Sequence, residues 1–102
     1  MNQQLEPLSP GPDEPNYDLA WKIDDEIWIA EIKSITNSNE EKQLRLGLGQ
    51  VLRYCQLLQP RGKVHGVLAI ERAPSDITWV ALCESHNILL VWPETFSEII
   101  KR

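Results

Sequence analysis

The chain has little that would carry it across or into a membrane. Its longest apolar run, Ile88 to Trp92, is far short of a bilayer span. The amino-terminal residues lack the basic region and apolar stretch of a secretory signal, so a cytoplasmic protein is the expectation. Cysteine is scarce: Cys55 and Cys83 stand apart with no Cys-x-x-Cys spacing, which reads as two buried thiols rather than a zinc site or a disulfide. No glycine-rich phosphate loop is present. Gly47-Leu48-Gly49 falls inside a predicted helix, where a phosphate loop would have to precede one. No Ser-His-Asp arrangement stands out, and His65 and His86 lack ligand spacing, so each reads as a structural histidine. There is no internal repeat.

What is present is enough for one domain. The 102 residues suffice for a single modest core. The net charge of −5 argues mildly against a general nucleic-acid binder, but the charge is unevenly spread. Residues 1–31 carry eight acids and one base, and residues 32–72 carry seven bases and three acids. An acidic segment followed by a basic one would suit carboxylates that hold a cation beside bases that meet phosphates. It would equally suit a solvated helix.

Residues 1–16 contain Pro7, Pro10, Pro12 and Pro15, which predicts an arm or linker ahead of a domain at 17–102. Two short strands follow, 18–23 and 27–33, joined by an acidic turn at Asp24-Asp25-Glu26. Alternation puts Leu19, Trp21 and Ile23 on one face of the first, with Asp18, Ala20 and Lys22 opposite. In the second, Ile27, Ile29, Glu31 and Lys33 share a face, and Trp28, Ala30 and Ile32 take the other. Both faces are largely apolar, so the sheet should be covered on both sides.

Ser38-x-x-Glu41 has capping-box spacing, so a helix is expected from about Asn39 to Gln59, ended by Pro60. Leu44, Leu48, Val51, Leu52, Cys55 and Leu58 form its apolar stripe. Gln43, Gly47, Gln50 and Tyr54 follow the spacing of an adjoining face. Gly47 and Gly49 each cost this helix roughly 1 kcal/mol relative to alanine. Val64 to Glu71 predicts a strand, Ser75 caps a helix over 76–86 with Trp79, Leu82 and Cys83 inward, Ile88 to Trp92 predicts a buried strand, and 94–101 a terminal helix. The predicted class is α/β, with a mixed four-stranded sheet flanked by helices.

Two carboxylates and a lysine then meet at one end of an apolar sheet, if the hairpin register brings Asp18 to Glu31 and Lys33. Such a cluster is costly to bury unless it binds a cation or does chemistry. Asp18 and Glu31 would offer a hard divalent cation its oxygens, with the carbonyl of Ile32 as a third. Lys33 could orient a water or balance charge on a phosphate. The same Glu-x-Lys is also what an exposed ion pair looks like. Gln50 and Tyr54, one helical turn apart, could reach a metal-bound water or a phosphate, or simply sit at a packing boundary. Lys42, Arg45, Arg53, Arg61 and Lys63 read as phosphate contacts or as plain surface charge.

Taken in order, an acid at a strand start, Glu31-Ile32-Lys33 ending the next strand, and Gln50-x-x-x-Tyr54 on the following helix resemble the PD-(D/E)XK nuclease superfamily, closest to its branch with a QxxxY helix. The resemblance runs from Asp18 to about Trp92. It implies a restriction-endonuclease-like fold and hydrolysis of phosphodiesters, in DNA more than RNA, with Mg²⁺ or Mn²⁺. It further implies that Asp18, Glu31 and the Ile32 carbonyl are metal ligands, Lys33 is the catalytic lysine, and Gln50 and Tyr54 are the helix motif. A catalytically inactive module of the same fold, for nucleic-acid binding or complex assembly, is the alternative, and an unrelated α/β protein with an acidic interaction hairpin is a third. Tyr17 stands where the family has proline. The family's first core helix has no clear counterpart in residues 1–16, so a homodimer or larger assembly is expected to cover the open sheet face.

Overall fold

A computed structural model describes residues 6–7, 19–97 and 99. Its elements are β1 (Glu6–Pro7), β2 (Leu19–Ile23), β3 (Glu26–Lys33), α1 (Glu40–Leu58), β4 (Val64–Ile70), α2 (Thr78–Ser85) and β5 (Ile88–Val91). They form an α/β domain around one mixed sheet of strand order β1-β2-β3-β4-β5. The β1–β2 and β2–β3 pairs are antiparallel, whereas β3, β4 and β5 run parallel. β1 is a two-residue edge pair in a stretch expected to be an arm. A proline is tolerated there because an edge position does not demand its missing N–H.

The β2–β3 hairpin forms as expected but with a tighter turn. Ile23 pairs with Glu26, so Glu26 belongs to β3 and only Asp24 and Asp25 form the loop. Both have positive φ, 50° and 69°, which the two-residue hairpin turn matching strand twist requires and which aspartate tolerates better than most residues.

The parallel step from β3 to β4 needs a crossover, and α1 supplies it. Its residues are mostly strong helix formers, and Glu40 and Glu41 favour the positive end of the helix dipole. Pro60, in a 3₁₀ turn at Gln59–Arg61, stops it. The expected capping box does not form. Asn39 holds the N-cap position without a side-chain bond to the helix, and its Oδ1 accepts from the Thr36 amide at 2.6 Å. The Glu41 carboxylate is instead engaged by Arg45 Nε at 2.7 Å and by the Trp79 indole at 3.3 Å.

One face of the sheet packs beneath the helices. Leu44, Leu48, Val51, Leu68, Ile70, Trp79, Cys83, Ile88 and Leu90 form the main core there, continued by Ala20, Ile27, Ile29 and Leu58. Each such large side chain contributes about 1.5–3 kcal/mol by leaving water. Leu82 departs from expectation: it is exposed, and the inward side of α2 is carried by Trp79 and Cys83. Ser75 also departs, because its amide and hydroxyl turn to Glu40 while Asp76 accepts from the Thr78 amide at 3.0 Å. The other face holds Trp28, Ala30, Val67 and Val91, with Trp21, Ile23 and Ile99 against them. Beyond β5 the chain makes a 3₁₀ turn at Pro93–Thr95. Of the expected terminal helix, Ser97 and Ile99 are helical, residues 98, 100 and 101 lie outside the described residues, and Phe96 is exposed. Burial pushes both thiols up to about 11, as expected for inert cysteines.

The two helix glycines differ in what surrounds them. A methyl on Gly47 would lie 2.6 Å from Leu68 Cδ1 and 3.0 Å from Lys33 Cγ, so α1 approaches the sheet there as only glycine allows. A methyl on Gly49 would meet nothing within 4 Å. Gly49→Ala is therefore expected to stabilise the protein by about 0.5–1 kcal/mol through helix propensity alone. Gly47→Ala should destabilise it by about 1–3 kcal/mol through overpacking against a fully buried leucine. Urea unfolding of both variants checks this: midpoints shifting in opposite directions are the expected result.

Candidate functional site

β3 delivers the central pair. Glu31 is 4% exposed, and its Oε1 lies 3.3 Å from Lys33 Nζ. Residues two apart on a strand share a face, and here that face is the one beneath α1. The alternative of a solvent-exposed pair is thereby excluded, since the lysine side chain is only 14% exposed.

α1 lies over this pair in a defined order. Gln43 Nε2 donates to the Ser34 carbonyl at 3.1 Å, just past the end of β3. One turn on, Gly47 sits against the Lys33 stem. Two turns further, Tyr54 packs on the cluster of Ala20, Ile27 and Ile29. Gln50 belongs to the same helix face by its spacing and falls between Gly47 and Tyr54 along α1. Its Oε1 is buried and has no hydrogen-bond partner among the described residues. A buried amide oxygen left so costs about 1–3 kcal/mol, and such groups are uncommon away from sites that bind something.

The structure thus pairs Glu31 with Lys33, and places Gln50 and Tyr54 on the helix that covers β3. Asp18 lies outside the described residues. The side chain of Ile32 points to the opposite face and is 53% exposed. Lys42, Arg45, Arg53, Arg61 and Lys63 are all exposed, and those on α1 project from its outward side. Arg45 is paired with Glu41 and Arg53 with Gln56. They do not converge on the Glu31–Lys33 pair. Among the described residues no three His, Cys, Asp or Glu side chains cluster as a metal site would. With Glu31 the sole described carboxylate at the site, a cation there would depend on Asp18 for its second.

A second polar cluster, absent from the sequence reading, anchors α1 at the same end of the sheet. Glu40 is 8% exposed. It accepts from Arg72 Nη1 at 2.9 Å, from the Ser75 amide at 2.8 Å and from the Ser75 hydroxyl at 3.2 Å. Arg72 Nη2 also donates to Asn37 Oδ1 at 3.1 Å, and the Ile35 amide donates to Glu71 Oε1 at 2.7 Å. Arg72 and Ser75 are tied to the first turn of α1 in this way, and Asn37 is tied to it through Arg72. The only signal in the sequence was a glutamate at a helix start, which the dipole alone would explain. Its distant partners, more than thirty residues away, leave no periodic trace.

Burial pushes the Glu40 carboxyl up, but the Ser75 amide, the Arg72 guanidinium and the Ser75 hydroxyl outweigh it, and the group titrates below the ordinary glutamate range. A carboxylate depressed by folding adds stability that is present above its unfolded value and disappears as pH falls through the folded one. Glu40→Gln is therefore expected to cost about 1–3 kcal/mol at neutral pH. The gap to the parent protein should narrow as pH drops below the ordinary glutamate range. Urea unfolding of both proteins at pH 7 and in acid measures it.

No protein-family model, curated protein or solved structure matches this chain.

Proposed function

We propose that the chain is a metal-dependent nuclease of the PD-(D/E)XK kind, acting on DNA in preference to RNA. The observation that carries this reading is the Glu31–Lys33 pair, buried under α1, the helix that also carries a buried Gln50 side-chain oxygen with no partner among the described residues. The order of elements supports it as well. β1, β2 and β3 followed by the α1 crossover and β4 is the βββαβ portion of that superfamily's core, without its first helix. A restriction-endonuclease-like fold is accordingly part of the proposal.

In this reading Asp18 and Glu31, with the Ile32 carbonyl, would hold Mg²⁺ or Mn²⁺. β2 and β3 pair Leu19 with Ala30, so a ladder carried one residue further would set Asp18 against Glu31. The unsatisfied amide of Gln50 fits a group that needs one more oxygen contact. When bound, the ion would supply a Lewis acid for a phosphoryl oxygen and a more acidic water. Lys33, whose stem is clamped against Gly47, would hold its ammonium beside the attacking water or the developing charge on phosphorus. Gln50 would orient that water, and Tyr54 would contact phosphate. The alkoxide leaving group would take its proton from solvent.

One feature favours the alternative of a nuclease-fold module for nucleic-acid binding or complex assembly, with little catalysis. Glu31 Oε1 and Lys33 pair with each other at low exposure, while the basic side chains of α1 face away from them.

Labelled DNA and RNA incubated with Mg²⁺ and Mn²⁺ test the proposal. Cleavage is expected, with loss on adding a chelator and a fall of about 10²–10⁴ in rate for Lys33→Ala; circular dichroism checks that the variant is folded. Cleavage that survives both the chelator and Lys33→Ala overturns the mechanism. Calorimetric titration with Mn²⁺ separates the two readings. Binding that Glu31→Ala abolishes supports the nuclease, and no binding to the unaltered chain supports the module.

A further inference from the structure

On the sheet face away from the helices, three rings stand in a row across three strands. Trp21 pairs with Trp28 in the β2–β3 ladder, and Trp28 pairs with His65 in the β3–β4 ladder. The Trp21 and Trp28 rings are stacked at 6.1 Å and 13°, and those of Trp28 and His65 at 4.4 Å and 22°. Trp28 is thus covered on both sides, whereas among the described residues His65 has a ring neighbour only on the Trp28 side. The β4–β5 ladder pairs Gly66 with Ile88, so the next place in the row is that of Asn87. There the chain is in a left-handed turn, with φ of 60° at Asn87, and no ring continues the stack.

A cleft of about 460 Å³ occupies this end of the row, lined by Trp28, His65, Gly66, Glu84, Asn87 and Ile88. Its size suits a small organic molecule. Glu84 and Asn87 are exposed at its rim. The His65 ring is held at its edge, since Nε2 contacts Glu26 Oε1. His65 foremost, by its hydrogen bond, together with the nearby charges, keeps that carboxyl below the ordinary glutamate range against the opposing effect of burial. With Glu26 ionised, Nε2 must be the donor, which fixes the plane of the ring and leaves its face to the cleft.

We propose that this cleft binds a nucleobase bearing an exocyclic amino group, stacked on His65 as the fourth member of the row. Glu84 accepts from the amino group, as a carboxylate does from cytosine N4. Asn87, with a donor and an acceptor on one amide, meets the neighbouring ring positions. The chemistry argues against the other occupants of such a cleft. The Glu84 carboxylate at the rim repels a phosphate, so the sugar–phosphate stays outside. No group of three His, Cys, Asp or Glu side chains forms a metal site among the described residues. A guanidinium would stack and pair with Glu84 but has no acceptor for Asn87 to serve. This site lies on the face opposite the Glu31–Lys33 pair, and its chemistry does not depend on that pair being catalytic. The base comes either from a free nucleoside or from a nucleic-acid strand.

Tryptophan fluorescence of the full chain, titrated in the presence of a chelator to silence any metal site, tests the proposal. Cytidine, adenosine and guanosine should quench the emission, whereas uridine and inosine, which lack the amino group, should bind about tenfold more weakly. Glu84→Gln, a change on the exposed side of α2 that leaves the core untouched, should remove most of that selectivity. His65→Ala should weaken every nucleoside. Short oligo(dC) and oligo(dT) distinguish the sources. Selective, tighter binding of oligo(dC) identifies a base within a strand, and selective binding of nucleosides alone identifies a free ligand. The proposal is overturned if uridine binds as well as cytidine, if Glu84→Gln changes nothing, if free arginine displaces the nucleoside, or if no nucleoside binds at millimolar concentration.

Discussion

A carboxylate and an ammonium lie together under a helix, and much of the domain is arranged around that fact. Removing two charges from water is expensive, and only close pairing and well-placed neighbours offset it. The Lys33 stem runs between β3 and α1, so the helix must come close enough to cover it and far enough to admit it. Gly47 satisfies both conditions by presenting backbone where any side chain would collide with Lys33 and Leu68. Two bonds near the amino-terminal end of α1 hold the helix to this spacing. Gln43 fastens it to the Ser34 carbonyl just past β3, and Glu40 fastens its first turn to the loop after β4.

The sheet that results has a dry middle and two wet ends. At the carboxyl ends of β3 and β4 gather Glu31 and Lys33, paired with each other, and Glu40, Glu71 and Arg72, engaged with partners elsewhere in the chain. That is where open α/β sheets commonly bind ligands, because the crossovers leave a crevice there. At the amino ends of β4 and β5, Glu26, His65 and Asn87 form a smaller group around the ring stack. Between the two, Ile29, Val67, Leu68 and Leu90 are almost entirely enclosed. The two wet ends are therefore insulated from each other by apolar packing, which permits each to have a chemistry of its own.

The strands and the long helix could be read from local pattern. Alternation in 27–33 predicts which residues face α1, and the stripe from Leu44 to Leu58 predicts the buried side of the helix. Both depend on neighbours within a few positions. The Glu31–Lys33 pairing was legible for the same reason, being set by a spacing of two along one strand. What sequence did not reveal depends on partners far along the chain. Ser38 and Glu41 have the spacing of a capping box, but Arg45 and Trp79 compete for the same glutamate and Thr36 for the serine, so tertiary contacts override it. Ser75 looked like a helix cap and serves Glu40 instead. His65 was no more than a residue inside a strand until the ladder register placed it beside Trp28. A sequence gives the alternation of a strand but not which strand lies next to it.

β5 ends the sheet, and among the described residues its outer edge has no strand beside it. Ile88, Leu89, Leu90 and Val91 have the composition of a segment that would recruit another such strand and begin an aggregate. Two features restrain it. The strand is only four residues long, and Pro93 follows almost at once, with no N–H to continue a ladder. The Trp92 amide, next in line, is already taken by the Thr95 hydroxyl at 3.0 Å. The turn that closes the domain after β5 thus also works as an end-stop, keeping its most hydrophobic edge from growing.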